Sequence, residues 1–495
     1  MPPRPADIAR TRRAVVVGSG PNGLTAAALL ARDGWEVEVF EGGEHPGGAA
    51  ASAPALGEGT IVDLGAAGHP FGIASPVFRD LRLEDHGLEW AHSAYPMAHP
   101  AEGAPAALLH RGLEETAAEL GRDARAWRAV HATLVADIDA HLENILGPML
   151  RLPPHPIAMA RFGLRAAPPA AALARTLFRD DPARALLLGS AAHAIAPLGH
   201  PFTGAFGTLF GALGMTRGWP VARGGTGAIA GALLSVLRSH GGTLSTGRWI
   251  SDLRELPPAD AVLLDMTPSQ VLELRGPGRD AIPDRTRAQL GRWRHGAAAF
   301  KVDYLLDGPV PWFDPRVGEA TTVHVVGSSD ELRRAESQVF RGRLPERPFV
   351  MVCQQQAADP SRAHGPAEGR TVLWTYAHVP AGYVELRAGE VAGLIEAQIE
   401  RFAPGFRDRI RERRTTDPAQ LEQWNPNLIG GDVAGGAMTG LQSVLRPRPA
   451  LQPHRLAPHG LYLASSSTPP GAGVHGMAGA WAAGAAMADA ARRAG

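Results

Sequence analysis

The chain of 495 residues has one cysteine, Cys353, and among its 49 basic residues one lysine, Lys301. A single thiol excludes an intrachain disulfide, a C-x-x-C dithiol and a cysteine-based zinc cluster. Neither sign of charge is in excess, with 49 basic residues against 49 acidic ones, which argues against nucleic acid or a generally acidic partner. No run of about 18 apolar residues occurs, so no membrane-spanning helix is expected. The opening MPPRPADIARTRR has no hydrophobic signal core, and the cytoplasm is the expected location. Neither an H-E-x-x-H spacing nor a G-x-S-x-G elbow is present, so no metal site and no serine nucleophile are expected. The length and a 45% apolar content suffice for two domains or one interleaved pair.

Two glycine-rich segments at opposite ends of the chain carry most of the information. Ala14 to Val17 is a short apolar run of the kind found in a buried parallel strand. It enters Gly18-Ser19-Gly20-Pro21-Asn22-Gly23, and Leu24 to Arg32 then reads as a helix stopped by Gly34. Gly18 permits a tight exit from the strand, Gly20 a close backbone approach to a pyrophosphate, and Gly23 close helix–strand packing. Free N–H groups at the helix start, where Pro21, Asn22 and Gly23 lie, and the helix dipole suit phosphate. Glu41 ends the next strand at about the twenty-residue spacing where an acid accepts ribose hydroxyls. A second glycine pair, Gly47-Gly48 followed by Ala49, offers further backbone amides to a longer ligand, or is a plain loop. At the other end GLYLASSSTPPGAGVHGMAGAWAAGAA, Gly460 to Ala486, again reads as strand, glycine turn and helix. Two such turns suggest one long dinucleotide held by both ends of the chain, FAD in preference to NAD.

Between these ends, Leu113 to Leu142 is amphipathic and helical, and Arg151 to Phe178 is rich in Pro, Ala and Arg. Together they predict a helical roof over a substrate cavity. Gly224 to Gly242 reads as a helix marked by glycines, followed by a strand pair around Thr243 to Leu253 and a buried strand at Ala261 to Leu264. Phe300 to Leu306, Val323 to Val326, Phe349 to Gln354 and Thr371 to Ala377 predict a mostly antiparallel sheet. The expected fold is α/β. A discontinuous Rossmann-type FAD-binding domain would use residues 12–100, 216–295 and 436–495. A second, α+β substrate-binding domain would use 101–215 and 296–435.

The segment Gly18 to Ala50 resembles the start of the phytoene desaturase-like flavoproteins, within the wider amine oxidase/phytoene desaturase group. Asp63-Leu64-Gly65, Ser75 to Trp90, Gly218 to Gly242 and the closing GLYLASSSTPPGAGVHGMAGAWAA are similar to the same family. The resemblance implies non-covalent FAD in a two-domain fold. It places Ile250 at the strand position that meets the adenine, and Gly473, Val474, Gly476 and Met477 in the turn beside the flavin. Two departures stand out. Ala49 and Ala50 follow the second glycine pair where many relatives have a basic residue, and Ser465 and Ser466 stand where many are acidic. Ser466 remains a candidate cofactor contact, and the branch resembling pyridine-nucleotide-disulfide-oxidoreductase-domain proteins fits better.

Flavin chemistry needs few side chains, because N5 accepts the hydride. Lys301 lies in a segment, His295 to Trp312, that resembles the amine-oxidase strand where a lysine holds a water near N5; otherwise it sits on a solvent-facing edge. His475, inside the second turn, either takes part in proton transfer or caps the helix. His193 and His200 fall in the roof, as cavity-lining or packing residues. The expected reaction is dehydrogenation or desaturation of a largely apolar small molecule. Amine oxidation, isomerisation without net redox change, and a non-catalytic FAD scaffold are the alternatives. With an aromatic content of 6%, an amine-binding aromatic cage is not evident. The roof suits peripheral contact with a membrane, contact with a second subunit in a homo-oligomer, or its own core.

Overall fold

The computed structural model describes residues 11–458 and 460–494. Most of the opening segment read above for a signal core lies outside the described residues, as does Gly495 at the end of the expected nucleotide-binding range.

Two sheets organise the chain. The first has six strands in the order Arg455–Ala457, Leu461–Leu463, Ala261–Leu264, Arg13–Val17, Glu36–Phe40 and Thr243–Ser245. All neighbours are parallel except the first pair. Its central strands are continuous apolar runs because helices cover both faces. The helix Pro21–Arg32 leaves the first strand, beginning three residues earlier than Leu24 because proline is well placed at a helix start, where its missing N–H costs nothing. The predicted strand pair around Thr243 to Leu253 is not formed. Three residues, Thr243–Ser245, extend the sheet, and the chain then crosses as a loop to a short turn at Leu253–Glu255. Gly247 takes φ +66° there, which breaks the extended run.

The second sheet has seven strands in the order Ile410–Thr416, Ala298–Leu306, Thr371–Val379, Val350–Cys353, Ala320–Val325, Tyr95–Ala101 and Ala104–Leu109. It is antiparallel apart from the pair Ala320–Val325 with Tyr95–Ala101. The strand Tyr95–Ala101 thus brings chain from the expected nucleotide-binding range 12–100 into this second layer. Seven helices between Leu113 and Thr216 form the roof. The last of them, Thr203–Thr216, is apolar on every side and nearly all buried, so it forms the roof's centre rather than its surface.

The two ends of the chain close the structure. The final helix, Met477–Ala494, crosses the first helix so closely that a Cβ on Gly479 would run into the carbonyl oxygen of Asn22. A Cβ on Gly476 would likewise meet Thr25. Gly484, two turns further on, has open space around it. Gly479→Ala is therefore expected to destabilise the fold by about 3 kcal/mol through overpacking. Gly484→Ala should stabilise it by up to about 1 kcal/mol through helix propensity. Urea unfolding of the two variants measures the difference.

Candidate functional site

A single cavity of about 970 Å³ lies where the two sheets, the roof and both chain ends meet. The first glycine turn contributes Gly18, Ser19, Gly20, Pro21 and Asn22 to its wall, with Glu41 beside them. Gly48 and Ala49 of the second glycine pair, Ile250, and then Ser466, Gly473, Val474 and His475 from the far end of the chain also line it. Gly23, Gly47, Gly476 and Met477 do not. Gly23 packs on the Gly18 carbonyl and Asp265, Gly476 packs at the helix crossing, and Gly47 donates its N–H to the Ser19 carbonyl at 3.0 Å. Met477 opens the final helix. Ile250 lines the wall from the loop after Thr243–Ser245, not from a strand.

The geometry of the first turn is set by an acid that lies far away in sequence. Val17 pairs with Leu264, so the next residue, Asp265, lies directly beside Gly18. A Cβ on Gly18 would lie 2.7 Å from the Asp265 carbonyl oxygen, and one on Gly20 would lie 2.6 Å from Asp265 Oδ2. That same oxygen accepts the Gly23 N–H at 2.9 Å. Gly18 adopts φ +98°, a left-handed conformation that only glycine takes without strain. Burial pushes the Asp265 carboxyl up to about 7; the Gly23 N–H opposes this and Glu41 adds to it. Glu41 Oε2 accepts from the Ser19 N–H at 2.7 Å and the Ser19 hydroxyl at 2.6 Å, and Oε1 from the Gly43 N–H at 2.8 Å.

These residues fit a dinucleotide. Asn22 Oδ1 is buried with no hydrogen-bond partner. The backbones of Gly20 and Gly48 face each other across a gap that a Cβ on Gly48 would close to 3.1 Å. With its pKa raised to about 7, the acid under the turn repels a pyrophosphate less than a fully ionised carboxylate would. The helix start meanwhile presents unpaired N–H groups to it.

Lys301 is buried on the strand Ala298–Leu306 and lines the cavity, so it does not sit on a solvent-facing edge. Its ammonium is paired with Asp303, two residues on and on the same face, and lies 5.6 Å from the Trp374 ring centroid. Burial lowers the Lys301 pKa, and Asp303 offsets part of that shift. Trp374 and Tyr376 meet edge to face at 5.2 Å beside it. Phe71, Phe206, Phe210 and Trp219 line the roof side in mutual contact. His475 is buried, and its Nδ1 accepts the Met477 N–H at 3.1 Å. Burial lowers its pKa to about 4, so at neutral pH it is an uncharged cap for the final helix. His193 lines the cavity, whereas His200 lies outside it against Phe340.

Sequence reasoning missed Asp265 and Arg446. Arg446 is a buried guanidinium on the cavity wall, without a carboxylate partner in hydrogen-bond contact. It donates to the Gly435 carbonyl at 2.7 Å and stacks 5.4 Å from Trp293. For Asp265 the signal was an acid at the end of an apolar strand, which gains meaning only once that strand is known to neighbour the first. Because its pKa is raised in the fold, Asp265 favours the folded state most at low pH, and this contribution is lost as pH rises from about 4 to about 7. Asp265→Asn keeps an acceptor for Gly23. Its stability relative to wild type should rise by on the order of 1 kcal/mol per pH unit across that window and level off above it. Urea unfolding between pH 5 and 8 checks this; a difference independent of pH means that the carboxyl is ionised in the fold.

Comparison with known proteins agrees with this arrangement. Residues 16–82 match the family described as NAD(P)-binding Rossmann-like domain. The rat pyridine nucleotide-disulfide oxidoreductase domain-containing protein 2 is 25% identical over 94% of this chain and 91% of its own. Hydroxyneurosporene desaturase of Cereibacter sphaeroides is 27% identical over 97% and 98%. The solved structure of cyclohexylamine oxidase from Brevibacterium oxydans superimposes with a TM-score of 0.58 at 14% identity, over 98% of this chain and all of that one. The chain is thus similar to the first two over nearly its whole length and shares the fold of the third.

Proposed function

We propose that this protein binds FAD non-covalently across its two glycine turns and dehydrogenates or desaturates a largely apolar organic molecule held beneath the roof. The observation that carries this reading is the single cavity that has glycine turns from both chain ends on its wall and aromatic roof helices over it. Bound FAD would supply the hydride acceptor. The chain's own residues do the rest. The start of the first helix and Glu41 hold the phosphates and a ribose, and Ile250 packs against the adenine side. Ser466, Gly473 and Val474 close on the other end. Lys301, paired with Asp303, holds a proton and orients a water at the cavity wall. The roof excludes bulk water.

The desaturase among the relatives supports an apolar substrate. One feature favours amine oxidation as a second reading: the Trp374–Tyr376 pair beside Lys301, which offers aromatic faces to a cation.

The roof also suits delivery of substrate from a lipid surface. The helix Pro156–Ala166 lines the cavity through Met159, Phe162 and Ala166, while Ile157 and Leu164 on its other side are 69% and 77% exposed. Leu152 just before it is 93% exposed. From Asn144 to Arg179 there are five arginines and no acidic residue, a charge balance matched to anionic headgroups.

Purified protein is expected to be yellow and to release about one FAD per chain on denaturation; folded protein that stays colourless and takes up no FAD overturns the reading. Lys301→Met should retain FAD but slow flavin reduction by substrate or reoxidation by oxygen on the order of tenfold or more. If both rates are unchanged in stopped-flow traces, Lys301 has no role in the reaction. A product equal in mass to the substrate would assign isomerisation instead. Sedimentation with phosphatidylserine vesicles, but not with phosphatidylcholine alone, is expected for the membrane face and should be lost in Ile157→Glu/Leu164→Glu. A wild-type dimer that this double variant dissociates gives the face to a second copy instead.

A further inference from the structure

One row of the antiparallel sheet runs under the cavity: Lys301 pairs with Tyr376, Tyr376 with Met351, and Met351 with His324. Three strand steps, roughly 14 Å, separate its ends. Lys301, Tyr376 and Met351 face the cavity. His324 is fully buried, and the cavity wall at that end is made by His193 in front of it. His193 follows the helix Asp181–Ala192 as its C-cap, and its ring centroid lies 5.1 Å from that of Phe210 and 4.9 Å from that of Trp219.

The two histidines share one hydrogen bond, Nε2 to Nε2 at 3.1 Å. Burial keeps both rings neutral: it lowers His193 to about 3, with His378 adding, and takes His324 well below its ordinary value, with His193 and His99 adding. Two neutral imidazoles joined in this way hold one proton between them, so the donor's identity fixes both tautomers.

His324 Nδ1 decides which ring donates. It is buried without a hydrogen-bond partner and abuts the backbone of Gly189, where a Cβ would collide with it. A proton there would be a buried N–H aimed at a Cα–H, the costly case; a bare nitrogen accepts that contact weakly. The neighbouring rings bring no competing proton. His99 commits its Nε2–H to the Gly327 carbonyl at 2.8 Å, and His378 donates Nδ1–H to Glu336 at 2.8 Å. His324 therefore donates through Nε2, and the proton of His193 lies on Nδ1. Among the described residues that nitrogen has no hydrogen-bond partner, on a wall otherwise built of Phe210 and Trp219.

We propose that His193 is the substrate-positioning donor of this cavity: its Nδ1–H, held in that tautomer by His324, hydrogen-bonds an acceptor oxygen on the bound molecule. The substrate class is then an apolar molecule carrying a carbonyl or comparable oxygen, not a pure hydrocarbon, and the oxygen belongs at the end remote from Lys301. This rests on the reading of the cavity as the substrate site.

Two measurements test it on the protein as purified. In long-range 15N–1H correlation spectra of 15N-histidine-labelled protein, His193 is expected as the Nδ1–H tautomer and His324 as the Nε2–H tautomer. The His193→Phe and His324→Phe spectra assign the signals, and the reverse tautomers overturn the proposal. In calorimetric titrations, 2-acetonaphthone should bind wild type about tenfold more tightly than 2-isopropenylnaphthalene, its isostere with a methylene in place of the oxygen. The preference should fall to about one in His193→Phe and in His324→Phe, and return in part in His193→Asn, whose amide can donate. No ketone preference in wild type, or an undiminished one in His193→Phe, overturns it. Neither readout needs flavin reduction, so failure here is separate from failure of the flavin assignment.

Discussion

Everything in this fold depends on two helices from opposite ends of the chain touching backbone to backbone. Gly479 of the last helix rests on the Asn22 carbonyl of the first, and Gly476 rests on Thr25. That approach brings the two glycine turns to one cavity. Both helices then begin within the same small volume, so their N-terminal dipoles converge on it. Any side chain at the crossing would separate the turns and enlarge the gap that a dinucleotide has to span.

Buried charge is arranged around that crossing with few uncompensated groups. Asp63 meets Arg362 at 2.8 Å, and Arg362 also donates to Asp359 at 3.0 Å and to the Ala222 carbonyl at 2.9 Å. This ties the first glycine-turn region to the second sheet. Lys301 and Asp303 pair on one strand, and burial raises the Asp265 carboxyl to about 7. A charge buried without such partners would cost several kcal/mol; on the cavity wall Arg446 is the exception, held by backbone carbonyls and the Trp293 ring and by no carboxylate in hydrogen-bond contact. The rest of the wall is apolar and aromatic, which suits an organic molecule of low polarity.

Local features were legible in the sequence because their signal is local. The apolar run before Gly18, the spacing to Glu41, the strand-type runs at Phe300 and Thr371, and the glycine turn before Met477 each carry their meaning within a few residues. The failed strand pair after Thr243 was also a local judgement. The pair fails because Gly247, at φ +66°, interrupts the β-type residues. The roof helices could be read from amphipathic periodicity, but the fully buried Thr203–Thr216 carries no periodic signal.

The residue types needed for a dinucleotide turn, and the absence of any dithiol, follow from the sequence alone. Tertiary structure decided what those residues touch. Asp265 fills the space under Gly20 only because two strands far apart in the chain are neighbours. His475 caps the final helix from the cavity wall, and the tautomer of His193, at the end of a roof helix, is set by a histidine on a strand of the second sheet. Conformational preference is encoded within a few residues, whereas the environment of a side chain is made by segments that meet only when the chain folds.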